Sequence, residues 1–127
     1  NRPAVFIATT VLKRYPELKI PGDPALAGAM QWWNPNMRQT FFVYGGYWKA
    51  NYVSPRGIAE RRLYRSTNQE PFAASEKVDL EVGDHVFLRP TQSERVMLQF
   101  GDLRVVRDGA VVDRWPVFQE EVRAAHA

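Results

Sequence analysis

A strand of fixed length is written into the run Gly83-Asp84-His85-Val86-Phe87-Leu88-Arg89-Pro90. Gly83 and Asp84 are turn formers, Val86, Phe87 and Leu88 favour β structure, and Pro90 ends the ladder because its nitrogen has no hydrogen to donate. The chain must therefore leave a rigid strand at Pro90 and present Thr91, Gln92, Ser93 and Glu94 just past the tip. Side chains in such a place are held more reproducibly than on a free loop. Ser93 reads as the cap of a short helix: Val96, Met97 and Phe100 follow at helical spacing, and Glu94 in the first turn suits the helix dipole.

Proline and glycine punctuate the rest of the chain in the same way. Residues 4–12 read as a strand and residues 16–24 as a Pro-rich loop. A short helix over residues 25–30 then opens with Asp23 as its cap and Pro24 in its first position, and ends at Trp32-Trp33-Asn34-Pro35-Asn36. Two adjacent tryptophans on a helix cannot both face one core, so one of them is expected to meet another domain. Residues 40–44 form a strand running into Gly45-Gly46, a pair that permits positive φ and a sharp bend before extended structure resumes over residues 47–53. Ser54-Pro55-Arg56-Gly57 is a turn, residues 61–66 a further strand, residues 67–77 a polar loop, and residues 78–82 an alternating, half-exposed strand. Asp108-Gly109, between residues 104–107 and 110–115, is a hairpin signal because both central turn positions need positive φ. The Ala-rich residues after Gln119 read as a frayed tail or helix. The fold class that follows is mainly β: an antiparallel barrel or sandwich with one or two short helices.

Composition narrows the function classes. The 127 residues make one domain, and 45% apolar residues with four Trp, five Tyr and seven Phe call for a packed body rather than disorder. Without cysteine, disulfides, thiolate nucleophiles and Cys-based metal sites are all excluded, which fits a cytoplasmic protein. No apolar run approaches the roughly 20 residues needed to span a bilayer, so no membrane partner is expected. A net charge of +3 and a pI near 9.4 invite a nucleic-acid reading, with Tyr44, Tyr47, Trp48, Lys49 and Tyr52 resembling a stacking platform in outline. Acidic residues recur through the basic second half, however, and no stripe dense enough to meet many phosphates is present. His85 lies in the strand after Gly83-Asp84 and reads as a surface strand residue; neither it nor His126 joins a Ser or Asp constellation.

The run through Gly83-Asp84 and Pro90 resembles the closing segment of the C-terminal β domain in the D-serine dehydratase and D-threonine aldolase group, pyridoxal-phosphate enzymes related to alanine racemase. Further segments carry the resemblance along most of the chain. Pro3-Ala4-Val5-Phe6-Ile7-Ala8-Thr9-Thr10-Val11 is similar to the strand that enters this domain from the barrel. Phe41-Phe42-Val43-Tyr44-Gly45-Gly46-Tyr47-Trp48-Lys49-Ala50 takes the place of the group's Asp-Ala-Gly-Ser-Lys-Ala strand, with Tyr44 where the Asp stands and one extra residue. Leu63-Tyr64-Arg65-Ser66-Thr67-Asn68-Gln69-Glu70 replaces a segment that usually reads Ser-Glu-Glu-His-Gly. The residues from Val105 through Asp108-Gly109 to Val117 resemble the group's last hairpin.

The resemblance implies that residues 1–127 form the β domain of an alanine racemase-like enzyme whose N-terminal α/β barrel, with the cofactor lysine, lies outside this chain. A chain opening on Asn1 rather than Met is expected of such a fragment. The parent would use pyridoxal phosphate to racemise, dehydrate or cleave a small amino acid, and would be a homodimer. No residue here is expected to bind the cofactor, and the fragment alone would be inactive. In the group, a His and a Cys or Asp just beyond the Pro bind a metal; here those positions hold Gln92 and Glu94. Glutamine is a poor zinc ligand, so the group's metal is not expected. Gln92 and Glu94 become the candidate catalytic residues, able to hydrogen-bond a substrate amine or hydroxyl, and Tyr47, Lys49, Ser66, Asn68 and Gln69 the candidate substrate-binding residues. The competing reading is a free-standing small β barrel that binds a ligand or nucleic acid without catalysis.

Overall fold

The computed structural model describes residues 3–20, 22–59 and 66–117. The chain divides into two compact units, residues 1–91 and 92–127. Seven strands and two helices are defined in chain order among the described residues: β1 (Ile7–Tyr15), α1 (Pro24–Trp33), β2 (Gln39–Tyr44), β3 (Ala50–Ser54), β4 (Gln69–Ala74), β5 (His85–Pro90), α2 (Ser93–Met97), β6 (Leu103–Arg107) and β7 (Ala110–Trp115). The protein is mainly β, as its composition and punctuation require.

The first unit is one antiparallel sheet in the order β3-β5-β1-β2-β4. The long strand β1 is shared: its first half pairs with β5, from Ile7 opposite Leu88 to Thr10 opposite His85, and its second half with β2, from Val11 opposite Val43 to Tyr15 opposite Thr40. An irregularity between Val11 and Lys13 separates the halves and lets the sheet bend there. The sheet curls far enough for its two outermost strands to meet inside. Tyr52 of β3 and Phe72 of β4 bring their rings to 4.8 Å, and Phe72 stacks on Phe41 at 5.4 Å. Ile7, Val11, Val43, Val86 and Leu88 fill the rest of this concave face and are buried. The result is a half-barrel of antiparallel strands.

A second, smaller core forms where Ala27 of α1 meets Ala73 of β4. Leu18, Ala27, Met37, Ala59 and Ala73 are buried together, with Ile20 and Met30 packed against them. The helix begins as its sequence dictates: Asp23 is the N-cap, its Oδ1 accepts from Leu26 N at 2.9 Å, and Pro24 follows at the first position. It runs to Trp33 with Asn34 as its C-cap, within the segment expected to end it. Trp32 and Trp33 are 80% and 82% exposed, so neither tryptophan enters a core of this unit.

Three elements differ from the sequence reading, each for a physical reason. Residues 67–77, read as a polar loop, contain strand β4, whose residues from Glu70 to Ala74 are buried. Pro71 is tolerated because β4 is the last strand of its ladder, where a missing N–H need not break a central pairing. Its far side is met by Ile58, bridged to Ala74, and by Ala59 N donating to Ala73 O. Residues 78–82 keep the expected alternation only as far as Leu80, with Val78 and Leu80 buried and Val82 exposed, and join no ladder. They are tied down by the buried Gln39, whose Nε2 donates to Ser75 O at 2.7 Å and Val78 O at 2.8 Å. The N-cap of α2 is Gln92 rather than Ser93, and no side chain closes that end. The expected strand at 61–66 and the tail after Gln119 lie almost wholly outside the described residues.

In the second unit, β6 and β7 form the expected hairpin. Asp108 and Gly109 have φ of 50° and 79°, the two positive values that a tight turn of this hand needs. Among the described residues, no helix is long and apolar enough to cross a membrane.

Two substitutions test this account by urea denaturation. Phe72→Ala removes the ring that links both sheet edges and is expected to cost about 3–5 kcal/mol. Gly28→Ala, inside α1 where a β-carbon meets nothing within 4 Å, is expected to stabilise by about 0.5–1 kcal/mol.

Candidate functional site

Strand direction decides where the candidate residues fall. The antiparallel registers send the C-terminal ends of β2 and β5 and the N-terminal ends of β1, β3 and β4 to one end of the sheet. Tyr47 and Lys49 lie on the link from β2 to β3 at this end. Gln69 begins β4 opposite Tyr44, the last residue of β2, and Asn68 and Ser66 lie just before it. Thr91 follows the tip of β5. Residues as far apart as Lys49 and Thr91, 42 positions in sequence, are thus gathered at one rim.

Hydrogen bonds extend both ladders past the strands and fix this rim. Gly45 N donates to Asn68 O at 2.7 Å and Gly46 N to Ser66 O at 3.0 Å. On the other side, Lys49 O accepts from Thr91 N at 2.7 Å and from Thr91 Oγ1 at 3.0 Å. Ser66 Oγ accepts from Asn68 N at 3.2 Å, so that hydroxyl closes its own turn. Tyr47, Lys49 and Asn68 are exposed, whereas Ser66 and Gln69 are half-buried.

The bend at Gly45-Gly46 forms by a different device from the expected one. Neither glycine takes positive φ; Tyr47 does, at 52°. The glycines serve close approach instead. A β-carbon on Gly45 would lie 2.2 Å from Ser66 O, and one on Gly46 would lie 2.1 Å from Trp48 Nε1. Thr91 and Trp48 are therefore parts of this corner that the sequence reading named only as a residue past the strand tip and as one ring of a stacking platform, and not as site residues. The signal available was local: two glycines directly before a Tyr-Trp-Lys triplet, and a threonine directly after the strand-ending proline.

Gln92 and Glu94 belong to the second unit and follow Thr91 in the chain. Gln92 is the extended N-cap of α2, its carbonyl accepting from Val96 N at 3.3 Å, and Glu94 O accepts from Leu98 N at 3.3 Å. Both side chains are exposed, as is His85.

Among the described residues, no group of three or more His, Asp and Glu side chains gathers as metal ligands. Nor do these residues fit a phosphate seat for pyridoxal phosphate. The N-terminus of α1 is closed by the Asp23 carboxylate, α2 is only five residues long, and Lys49 is a solvent-facing lysine on a rim. Lys19 is committed elsewhere: its Nζ lies 2.6 Å from Glu17 Oε1, and that hydrogen bond and charge raise its pKa above the usual lysine value. It stays charged and offers no base.

No family model matches this chain, and neither a curated protein nor a solved structure does.

The close approach at Gly45 gives a direct check. Gly45→Ala is expected to destabilise by about 1–3 kcal/mol, because the opposing Ser66 carbonyl is backbone and cannot swing aside. Gly101→Ala, where a β-carbon meets nothing within 4 Å, should leave the denaturation midpoint within experimental scatter.

Proposed function

We propose that this chain is the C-terminal β domain of a pyridoxal-phosphate enzyme acting on small amino acids, by racemisation, dehydration or retro-aldol cleavage. In this reading the barrel domain holds the cofactor, which supplies carbanion stabilisation when bound. The β domain lends its rim to the facing cleft: Tyr47, Lys49, Ser66, Asn68 and Gln69 bind substrate, and the Gln92–Glu94 segment faces the reacting groups. Glu94 holds or moves a proton, and Gln92 hydrogen-bonds a substrate amine or hydroxyl. The enzyme works as a homodimer in the cytoplasm, and its chemistry does not depend on zinc.

The observation that carries this reading is the shared rim. Segments picked out by resemblance, from three separate parts of the first unit's sequence, lie at one end of one sheet. Thr91, the last residue of the first unit, joins that rim through two hydrogen bonds to Lys49 O. The N-terminal end of β1 lies there too, so a barrel joined ahead of β1 would enter at the same end.

The product of the intact gene should carry the visible absorbance band of lysine-bound pyridoxal phosphate and turn over a member of a panel of D- and L-amino acids. Glu94→Gln should keep the band and lower kcat about 100-fold or more, as expected for loss of a positioned acid or base. A protein without the band would refute the enzyme reading and favour a binding module, for which salt-sensitive binding to an oligonucleotide is the next measurement.

A further inference from the structure

We infer that Trp48 is a positioning residue: its buried indole, seated against Gly46, fixes the exposed Tyr47 and Lys49 as a preformed contact for a small amino acid. The amino-acid ligand rests on the function proposed above; the positioning itself does not.

The corner is anchored at both ends before it turns. Gly45 N and Gly46 N are bonded to Asn68 O and Ser66 O on the β4 side, and Thr91 N to Lys49 O on the β5 side. Between these anchors Tyr47 adopts φ of 52°, where its own β-carbon crowds the backbone. A tyrosine persists there only when its surroundings over-determine the conformation. Glycine would adopt it freely, yet the two glycines available stand one and two positions earlier.

What over-determines it is the indole. Trp48 is 9% exposed between two exposed neighbours, and a β-carbon on Gly46 would lie 2.1 Å from its Nε1 and 2.7 Å from its Cε2. Trp48 O also accepts from Ala50 N at 2.9 Å, which closes the turn into β3. With the indole driven inward, the residues on either side are forced outward. The chain thus keeps a strained residue at a place where its side chain is 43% exposed. That pattern marks a side chain retained for contact with something else. A small amino acid fits: the Lys49 ammonium pairs with its carboxylate, and the Tyr47 ring covers its side chain.

The test uses the product of the intact gene and two readouts. Trypsin cleavage after Lys49, followed by mass spectrometry, reports whether the corner is closed; KM for the turned-over amino acid reports whether it binds. Gly46→Ala and Trp48→Leu are each expected to raise both about tenfold, since displacing a positioning element by an ångström weakens function on at least that scale. The double variant should match either single one, because leucine has already made room for the alanine. Unchanged cleavage in Trp48→Leu, or independent effects that multiply in the double variant, would overturn the proposal. Should Gly46→Ala fail to fold, Tyr47→Gly decides: with its strain relieved it should raise KM with cleavage unchanged and the melting temperature no lower, whereas a lowered melting temperature would assign Tyr47 to packing and overturn the proposal. If no amino acid is turned over, the functional reading fails, and the cleavage pattern still tests the role of Trp48.

Discussion

The contact of Tyr52 with Phe72 inside the curled sheet is the interaction on which the first unit depends. These residues belong to β3 and β4, the two strands furthest apart in the sheet order, yet their rings lie 4.8 Å apart. A flat sheet would hold them on opposite margins with the concave face open to water. The stack of Phe72 on Phe41 then ties the contact to β2, so aromatic area replaces the strand pairing that would have closed a full barrel. Because these rings are large and rigid, the curl has little freedom, and the positions of the strand ends follow from it.

The curl also explains why β1 serves two partners in succession. A nine-residue strand paired along its whole length on both sides would need neighbours as long as itself, and β5 and β2 have six residues each. By pairing its first half with β5 and its second half with β2, β1 staggers the two sides of the sheet. The β2 to β3 link must then cross from one side to the other at the rim. Gly45, Gly46 and the strained Tyr47 are the residues that make that crossing possible. The candidate site is therefore a consequence of the topology, since the same crossing that bridges the stagger brings Tyr47 and Lys49 beside the exit of β5.

Much of the fold was legible because single residues dictated it. Pro90 ends β5 where its missing N–H requires, Asp23 caps α1 with Pro24 behind it, and Asp108-Gly109 turns the hairpin. What escaped was set by contacts distant in sequence. Strand β4 carries Gln69, Glu70 and Pro71, a composition that reads as a loop; only its place at the end of the ladder, against Phe42 and Val43, makes it a strand. The site was legible in part for the same reason. Lys49 and Gln69 could be named from their segments, but the role of Thr91 depends on pairing with a residue 42 positions away, and that of Trp48 on the space left by Gly46. Neither is a property of a local pattern.

Two hydrogen bonds from Thr91 to Lys49 O fix the chain just past β5. A strand that ends at proline gives up its ladder, and the residues beyond it would ordinarily swing freely. Here both the amide and the hydroxyl of Thr91 are committed to one carbonyl, so the chain stays fixed one residue past the strand. Gln92 is the next residue and starts α2, so the backbone leading to Gln92 and Glu94 departs from a pinned point. The same carbonyl belongs to Lys49, whose neighbour Trp48 sets the rim. Any displacement of the Trp48 corner must therefore pull on the exit of β5, because Lys49 O holds Thr91 through both hydrogen bonds.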